Sequence, residues 1–179
     1  MGSLSIILGC MFSGKSTEII QRYNAYKSQD KSILLINHTS DKRYGTNVVS
    51  THNKVSVPCL SRITLTELLV SDKFKNADII MIEEAQFFKD LFTFTTLSVD
   101  KYDKTVVVAG LDGDYKRQAF GDLLKLIPYA DEVVKLVAIC KHCNNKAIFT
   151  KRIVDNEEQC LVGGEEYYIP VCRKHFHTN

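Results

Sequence analysis

The octet Gly9-Cys10-Met11-Phe12-Ser13-Gly14-Lys15-Ser16 follows the spacing G-x-x-x-x-G-K-[ST] in full, and no other stretch restricts the fold of this chain as strongly. It comes directly after Leu4-Ser5-Ile6-Ile7-Leu8, an apolar run that reads as a buried strand. After it, Ile19, Tyr23 and Tyr26 recur at i, i+4 and i+7 with Ile20 beside them, which predicts a helix over 15–29. Strand, glycine turn and helix are the context that gives the motif its meaning. The glycines let backbone N–H groups turn inward around phosphate oxygens, and the helix N-terminus adds its positive dipole end. Lys15 is placed to reach the β and γ phosphates, and the Ser16 hydroxyl to ligate Mg²⁺. A bare strand-to-helix turn is the alternative reading. The complete match in its context favours nucleotide binding by residues 9–17.

Further strands are expected at 32–36, 77–82, 105–110 and 132–136. Helical segments are expected at 64–70 and 87–97, with a turn or two around Leu123, Leu124 and Ile127 before Pro128. Strands alternating with helices predict βαβ units and a mostly parallel sheet, and runs apolar on both faces fit strands covered by helices on each side. The 179 residues suffice for one such core plus a small lobe, not for two full-sized domains. Near residue 139 the texture changes to cysteine pairs, short alternating segments, a Gly163-Gly164 pair and no clear helix. The expected domains are therefore 1–138, an ATP-binding α/β unit, and 139–179, a metal-held lobe.

Ile79-Ile80-Met81-Ile82 runs into Glu83-Glu84, an apolar strand ending in two acids. Side chains alternate along a strand, so the two acids would point to opposite faces if the strand continued. One would face the Mg²⁺ site and the other an acceptor. Solvated charges at a strand end are the plainer reading, and the phosphate loop argues against it.

Cys140-x-x-Cys143 and Cys172-x-x-His175 are two half-sites that together supply four ligands for a tetrahedral Zn²⁺. Four protein ligands leave no open position, so the metal is expected to be structural. A redox Cys-x-x-Cys would not explain the second pair. Cys59 and Cys160 read as small buried apolar residues, and His142 and His177 fit the ligand spacing less well than His175. The clustering of four of the six cysteines after residue 139 points to a reducing compartment. A formal net charge of +2 without a basic stripe argues against a duplex-binding role. The longest apolar runs are far shorter than a membrane span, and the first residues run straight into a strand with no basic leader. A cytoplasmic protein with neither nucleic-acid nor membrane partners is expected.

One ordered set of strings now stands out: Gly9 to Thr17, Asp41-Lys42-Arg43-Tyr44, Thr51-His52, Glu84-Ala85-Gln86-Phe87-Phe88, Leu111-Asp112-Gly113, Thr150-Lys151-Arg152, Gly163-Gly164, and the run from Tyr168 to His175. Together they resemble the type II thymidine kinases, the group with cytosolic, bacterial and poxvirus-type members, over nearly the whole chain. The resemblance implies a P-loop, RecA-like α/β fold with a small zinc-ribbon-like lasso lobe. It implies ATP-dependent transfer to the 5′-hydroxyl of thymidine or deoxyuridine in nucleotide salvage, with ATP, magnesium and structural zinc as cofactors and a homotetrameric assembly.

By similarity, Glu84 matches the general base, Glu83 the acid near Mg²⁺, and Arg43 a phosphate- and acceptor-side arginine. Lys15 completes the catalytic set. Gly163 and Tyr168 match the loop that holds the pyrimidine through backbone groups, and Thr150 matches a base-contacting position. Met11, Phe87, Leu111, Tyr115 and Phe120 match the apolar pocket, although ordinary core packing would account for Phe87 and Phe120 as well. The chain departs from the family pattern at Glu83 (usually Asp), His175 (often Cys), Cys10 (usually Pro, and as a thiol a candidate for oxidation), Asp114-Tyr115-Lys116 (usually Thr-Phe-Gln) and Ala119 (usually Pro). Two rival readings remain: a P-loop ATPase or switch whose zinc lobe binds a macromolecule, and a kinase for another acceptor such as deoxycytidine or a nucleoside monophosphate. The monophosphate option would call for clustered lid arginines, which the chain lacks.

Overall fold

The computed structural model describes residues 1–41, 47–50 and 55–178. The order of elements is β1 (Ser3–Gly9), α1 (Lys15–Lys27), β2 (Ile33–His38), β3 (Val48–Ser50), β4 (Ser56–Pro58), β5 (Leu60–Arg62), α2 (Asp72–Asn76), β6 (Ile79–Ile82), α3 (Leu91–Thr96), β7 (Thr105–Gly110), β8 (Glu132–Leu136), β9 (Ala138–Ile139), β10 (Lys146–Ala147), β11 (Phe149–Arg152), β12 (Tyr168–Val171) and α4 (Arg173–His177).

Six strands form one sheet in the order β5-β2-β6-β7-β1-β8, with every pairing parallel. The period of two along these strands divides the core into two layers. Leu4, Ile6, Leu8, Ile80, Ile82 and Val108 face one side. There they meet Leu65, Phe74, Phe88, Leu91 and Phe94 from the segments between β5 and β7. Ile7, Leu35, Met81, Val107 and Ala109 face the other side, where Ile19 and Ile20 of α1 and Val49 and Val57 of the β3–β4 hairpin cover them. Strands buried on both faces explain the unbroken apolar runs in the sequence.

Parallel pairing puts the C-terminal ends of β1, β6 and β7 on one edge, and only β7 separates β1 from β6. Ligands of open α/β sheets bind outside that edge. The phosphate loop leaves the end of β1 and the two acids leave the end of β6, so the topology brings the motifs together.

Several local expectations shift. Residues 64–70 form a 3₁₀ turn over Thr66–Val70 rather than a longer helix. Helix α3 starts at Leu91, not at 87, and continues as a π-helical turn over Leu97–Lys101. The turn before Pro128 extends through it, as a 3₁₀ segment over Leu123–Tyr129. The β3–β4 hairpin and edge strand β5 were not expected. Beyond residue 137, β9 pairs with β10 and β11 with β12, and a short helix, α4, stands where none was expected.

Candidate active site and metal centre

The phosphate loop is held in shape by its backbone. Gly14 sits at φ 90°, where a side chain would be strained, and caps α1 without any side-chain bond. Phe12 takes φ 65° as a non-glycine residue, a conformation that costs roughly 1–2 kcal/mol. The buried Lys15 ammonium donates to the loop's own carbonyls, Gly9 O at 3.2 Å and Cys10 O at 2.8 Å. Ser13 Oγ is buried with no hydrogen-bond partner among the described residues.

Strand β6 ends at Ile82, so the expected alternation of Glu83 and Glu84 does not apply. The chain instead turns sharply: Glu84 adopts φ 52°, ψ 41° and heads a 3₁₀ turn over Ala85–Phe87. That left-handed residue redirects the second acid, and both glutamates line the same cavity. The Ser16 hydroxyl donates to Glu83 Oε1, which sets a hydroxyl and a carboxylate side by side at the first turn of α1. These are hard oxygen donors of the kind Mg²⁺ takes. Gln86, which the sequence reading did not single out, donates through Nε2 to Glu84 Oε2 and accepts through Oε1 from Leu111 N at 3.1 Å. A Cβ at Gly110 would lie 2.6 Å from Gln86 Oε1, so a glycine there lets this bracket close.

The cavity measures about 460 Å³ and opens between the strand ends and the loop 153–167. Of the residues picked from sequence, Met11, Phe12, Gly14, Lys15, Ser16, Thr17, Glu83, Glu84, Phe87, Leu111, Tyr115, Phe120, Thr150, Gly163 and Tyr168 all line it. Gly9, Cys10 and Ser13, also of the phosphate loop, are not among the lining residues. Arg43 lies outside the described residues. Phe87 meets Phe120 edge-on with centroids 5.4 Å apart, and its other side faces His38 at 5.5 Å. Burial lowers the pKa of that histidine.

The hydroxyls of two residues expected near the pyrimidine are already engaged. Thr150 Oγ1 accepts from Met11 N at 3.0 Å, tying β11 to the phosphate loop. Tyr168 OH accepts from Arg152 at 2.6 Å and donates to Leu161 O at 2.7 Å. Asp114, one of the departures from the family pattern, Cys160, and Gln159, which no local pattern marks, also line the cavity.

Two cysteine expectations are corrected. Cys160 is exposed at the cavity wall rather than buried, because it belongs to a loop with no apolar layer of its own. Cys10 is 1% exposed and packs with Ala138, Cys140, Ala147 and Val171, and burial raises its pKa, so the loop thiol is shielded and held protonated. Cys59 is half-buried, and burial pushes its pKa up to about 11.

Cys140, Cys143, Cys172 and His175 place their ligand atoms within 4.8 Å of one another. Cys143 Sγ and Cys172 Sγ are 3.7 Å apart, and His175 Nδ1 lies 3.6 Å from Cys140 Sγ and 3.3 Å from Cys172 Sγ. Metal–ligand bonds of about 2.3 Å to sulfur and 2.0–2.1 Å to nitrogen give tetrahedral edges of about 3.5–3.8 Å, so the donor set fits Zn²⁺. Burial would raise the Cys140 pKa, but N–H groups of the Cys172 and His142 backbone, among others, bring it down to about 6, which favours the thiolate. His142 lies beside His175, with the ring centroids 5.2 Å apart and the planes tilted by 46°, and is not among the ligand residues.

A family model described as "Thymidine kinase" matches residues 2–176. Among curated relatives, thymidine kinase a of Arabidopsis thaliana is 42% identical over 99% of this chain and 76% of that protein. The thymidine kinase of Yaba monkey tumor virus is 44% identical over 96% of this chain and 93% of that protein. The cytosolic thymidine kinase of Cricetulus griseus is 39% identical over 96% and 72% respectively.

Proposed function

The chain belongs to the thymidine kinase family, and on that premise we propose that its cavity seats the terminal phosphate of ATP at one end and the 5′-hydroxyl of thymidine at the other. The activity is phosphorylation of thymidine for nucleotide salvage, and the chain is a phosphotransferase with ATP and thymidine as substrates. One observation supports this assignment of the cavity above the others. The Glu84 carboxylate, the phosphate loop and a loop of the zinc lobe all line a single space.

In this reading Lys15 leaves its loop carbonyls to bind the β and γ phosphates, and the inward N–H groups of the loop hold the same oxygens. Glu83 and Ser16 would hold Mg²⁺, which when bound neutralises charge on the phosphates. Glu84 accepts the proton of the 5′-hydroxyl, and Gln86 fixes the carboxylate by its amide hydrogen bond. Met11, Phe87, Leu111, Tyr115 and Phe120 pack the thymine faces and methyl, and backbone groups near Gly163 read its edge. The ring of Tyr168 forms part of the wall, and Thr150 braces the pocket through Met11 N. Arg43, by sequence alone, is assigned to the phosphoryl oxygens, where a permanent charge suits the spread of charge during transfer.

Residues 1–138 act as the ATP-binding unit and 139–179 as the lobe that closes over the nucleoside. We further propose a cytoplasmic homotetramer that uses neither nucleic acid nor membrane. No helix among the described residues is long and apolar enough to cross a membrane. A nucleoside panel with ATP and Mg²⁺ tests the substrate. Thymidine is expected to give the highest kcat/KM, deoxyuridine to follow, and deoxycytidine to fall at least about 10²-fold below, because backbone groups set for the thymine edge would be left unpaired. Equal use of deoxycytidine would contradict the assignment.

A further inference from the structure

The loop 153–167 has little to hold it by burial. It carries Asp155, Glu157, Glu158, Glu165 and Glu166, and residues 157–160 are exposed. Polar contacts fix it instead. At its root Arg152 is 8% exposed and lies 3.7 Å from the centroid of the Tyr115 ring. Its guanidinium donates to Asn156 O at 2.8 Å and Glu158 O at 2.5 Å. Farther along, Gln159 Nε2 donates to Asp114 Oδ2 at 2.8 Å, across 45 residues of sequence. Asp114 is itself held in place: its Oδ1 accepts from Lys116 N and Gln118 N, both at 2.8 Å, and the residue is 7% exposed. One carboxylate oxygen therefore braces the turn after β7, and the other is presented to the opposing loop.

We propose that Asp114 and Gln159 form a latch that holds loop 153–167 closed over the cavity, which makes them positioning residues for nucleoside binding. The proposal rests on the reading above that this loop covers the nucleoside. A charge-assisted bond between the two walls of a binding site favours the closed arrangement before ligand arrives. Apparent affinity scales with the closed fraction, whereas saturating nucleoside closes the loop regardless. The latch therefore acts on the KM for nucleoside and leaves kcat and the KM for ATP alone.

A charge exchange tests it. Gln159→Glu sets two carboxylates against each other, and the KM for thymidine is expected to rise at least about ten-fold, with kcat and the KM for ATP within about two-fold of the starting enzyme. Adding Asp114→Asn to that variant restores a donor–acceptor pair, since the Asn oxygen still accepts from Lys116 N and Gln118 N while its amide donates to the introduced carboxylate. The KM for thymidine is then expected to return to within about three-fold of the original. A role confined to bracing the turn predicts no such rescue. An unchanged KM in Gln159→Glu, a rise that Asp114→Asn does not reverse, or a parallel fall in kcat would overturn the latch while leaving the function reading in place. An unsubstituted chain inactive on thymidine would overturn both.

Discussion

Glu84→Gln is expected to lower thymidine turnover by at least about 10²-fold, which is about 2.7 kcal/mol of barrier, while ATP affinity stays within about two-fold. The change keeps the shape of the side chain and its ability to accept from Gln86 Nε2, so the turn at φ 52° and the cavity wall persist. What is lost is a group able to take a proton. None of the contacts assigned to ATP falls to Glu84: they fall to the phosphate loop with Lys15 and Ser16, which follow β1, to Arg43 and, through Mg²⁺, to Glu83. A general base contributes about 10²–10⁴-fold in such reactions, and this sets the size of the effect. Turnover of the variant measured beside binding of a non-hydrolysable ATP analogue separates the two terms. Near-normal turnover would remove Glu84 from the role of base.

Loss of zinc is expected to be equally severe. The fully buried core of the lobe is Cys140, Ala147 and Val171, packed with Ala138 and Cys10 of the neighbouring unit and lined by the partly buried Phe149, Ile169 and Phe176, a small cluster for the short strands it must hold. Structural zinc in comparable peptides supplies about 10–16 kcal/mol of apparent binding free energy that doubles as folding free energy. Cys172→Ala removes one of four ligands and should abolish stoichiometric zinc, measured by mass spectrometry at about one ion per chain in the unsubstituted protein. Thymidine phosphorylation should fall at least about 10²-fold with it. ATP affinity should weaken too, because Met11 N is bonded to Thr150 Oγ1 and Cys10 Sγ to Ala147 O, so the lobe steadies the phosphate loop. A metal-free preparation with an intact lobe and full activity would contradict this.

The parts of this site that were legible in the sequence are those fixed by local rules. The strand, glycine turn and helix from Ser3 to Lys27, the apolar strands β6 and β7, and the paired half-sites at 140–143 and 172–175 each carry their signal within a short window. The misplaced start of α3 has a tertiary cause. Phe88 is extended, with its ring fully buried, and Asp90 spends its carboxylate on the backbone N–H groups of Leu65 and Thr66. A three-residue strand such as β3 or β5 offers no period to detect. The left-handed turn at Glu84 overrode an alternation rule that assumes a continuing strand. Gln86 and Gln159, and the pairing of Asp114 with Gln159, were missed because their importance comes from partners the fold supplies, and polar residues in loops look alike until it pairs them.

The central claim is that phosphoryl transfer in this cavity requires a thymidine hydroxyl. ATP consumption with and without thymidine, with the product identified by phosphorus NMR, tests it most directly. The account predicts one thymidine 5′-monophosphate per ADP formed and almost no ADP in the absence of nucleoside. Steady ATP hydrolysis that is indifferent to thymidine would contradict it and point to a nucleotide switch instead.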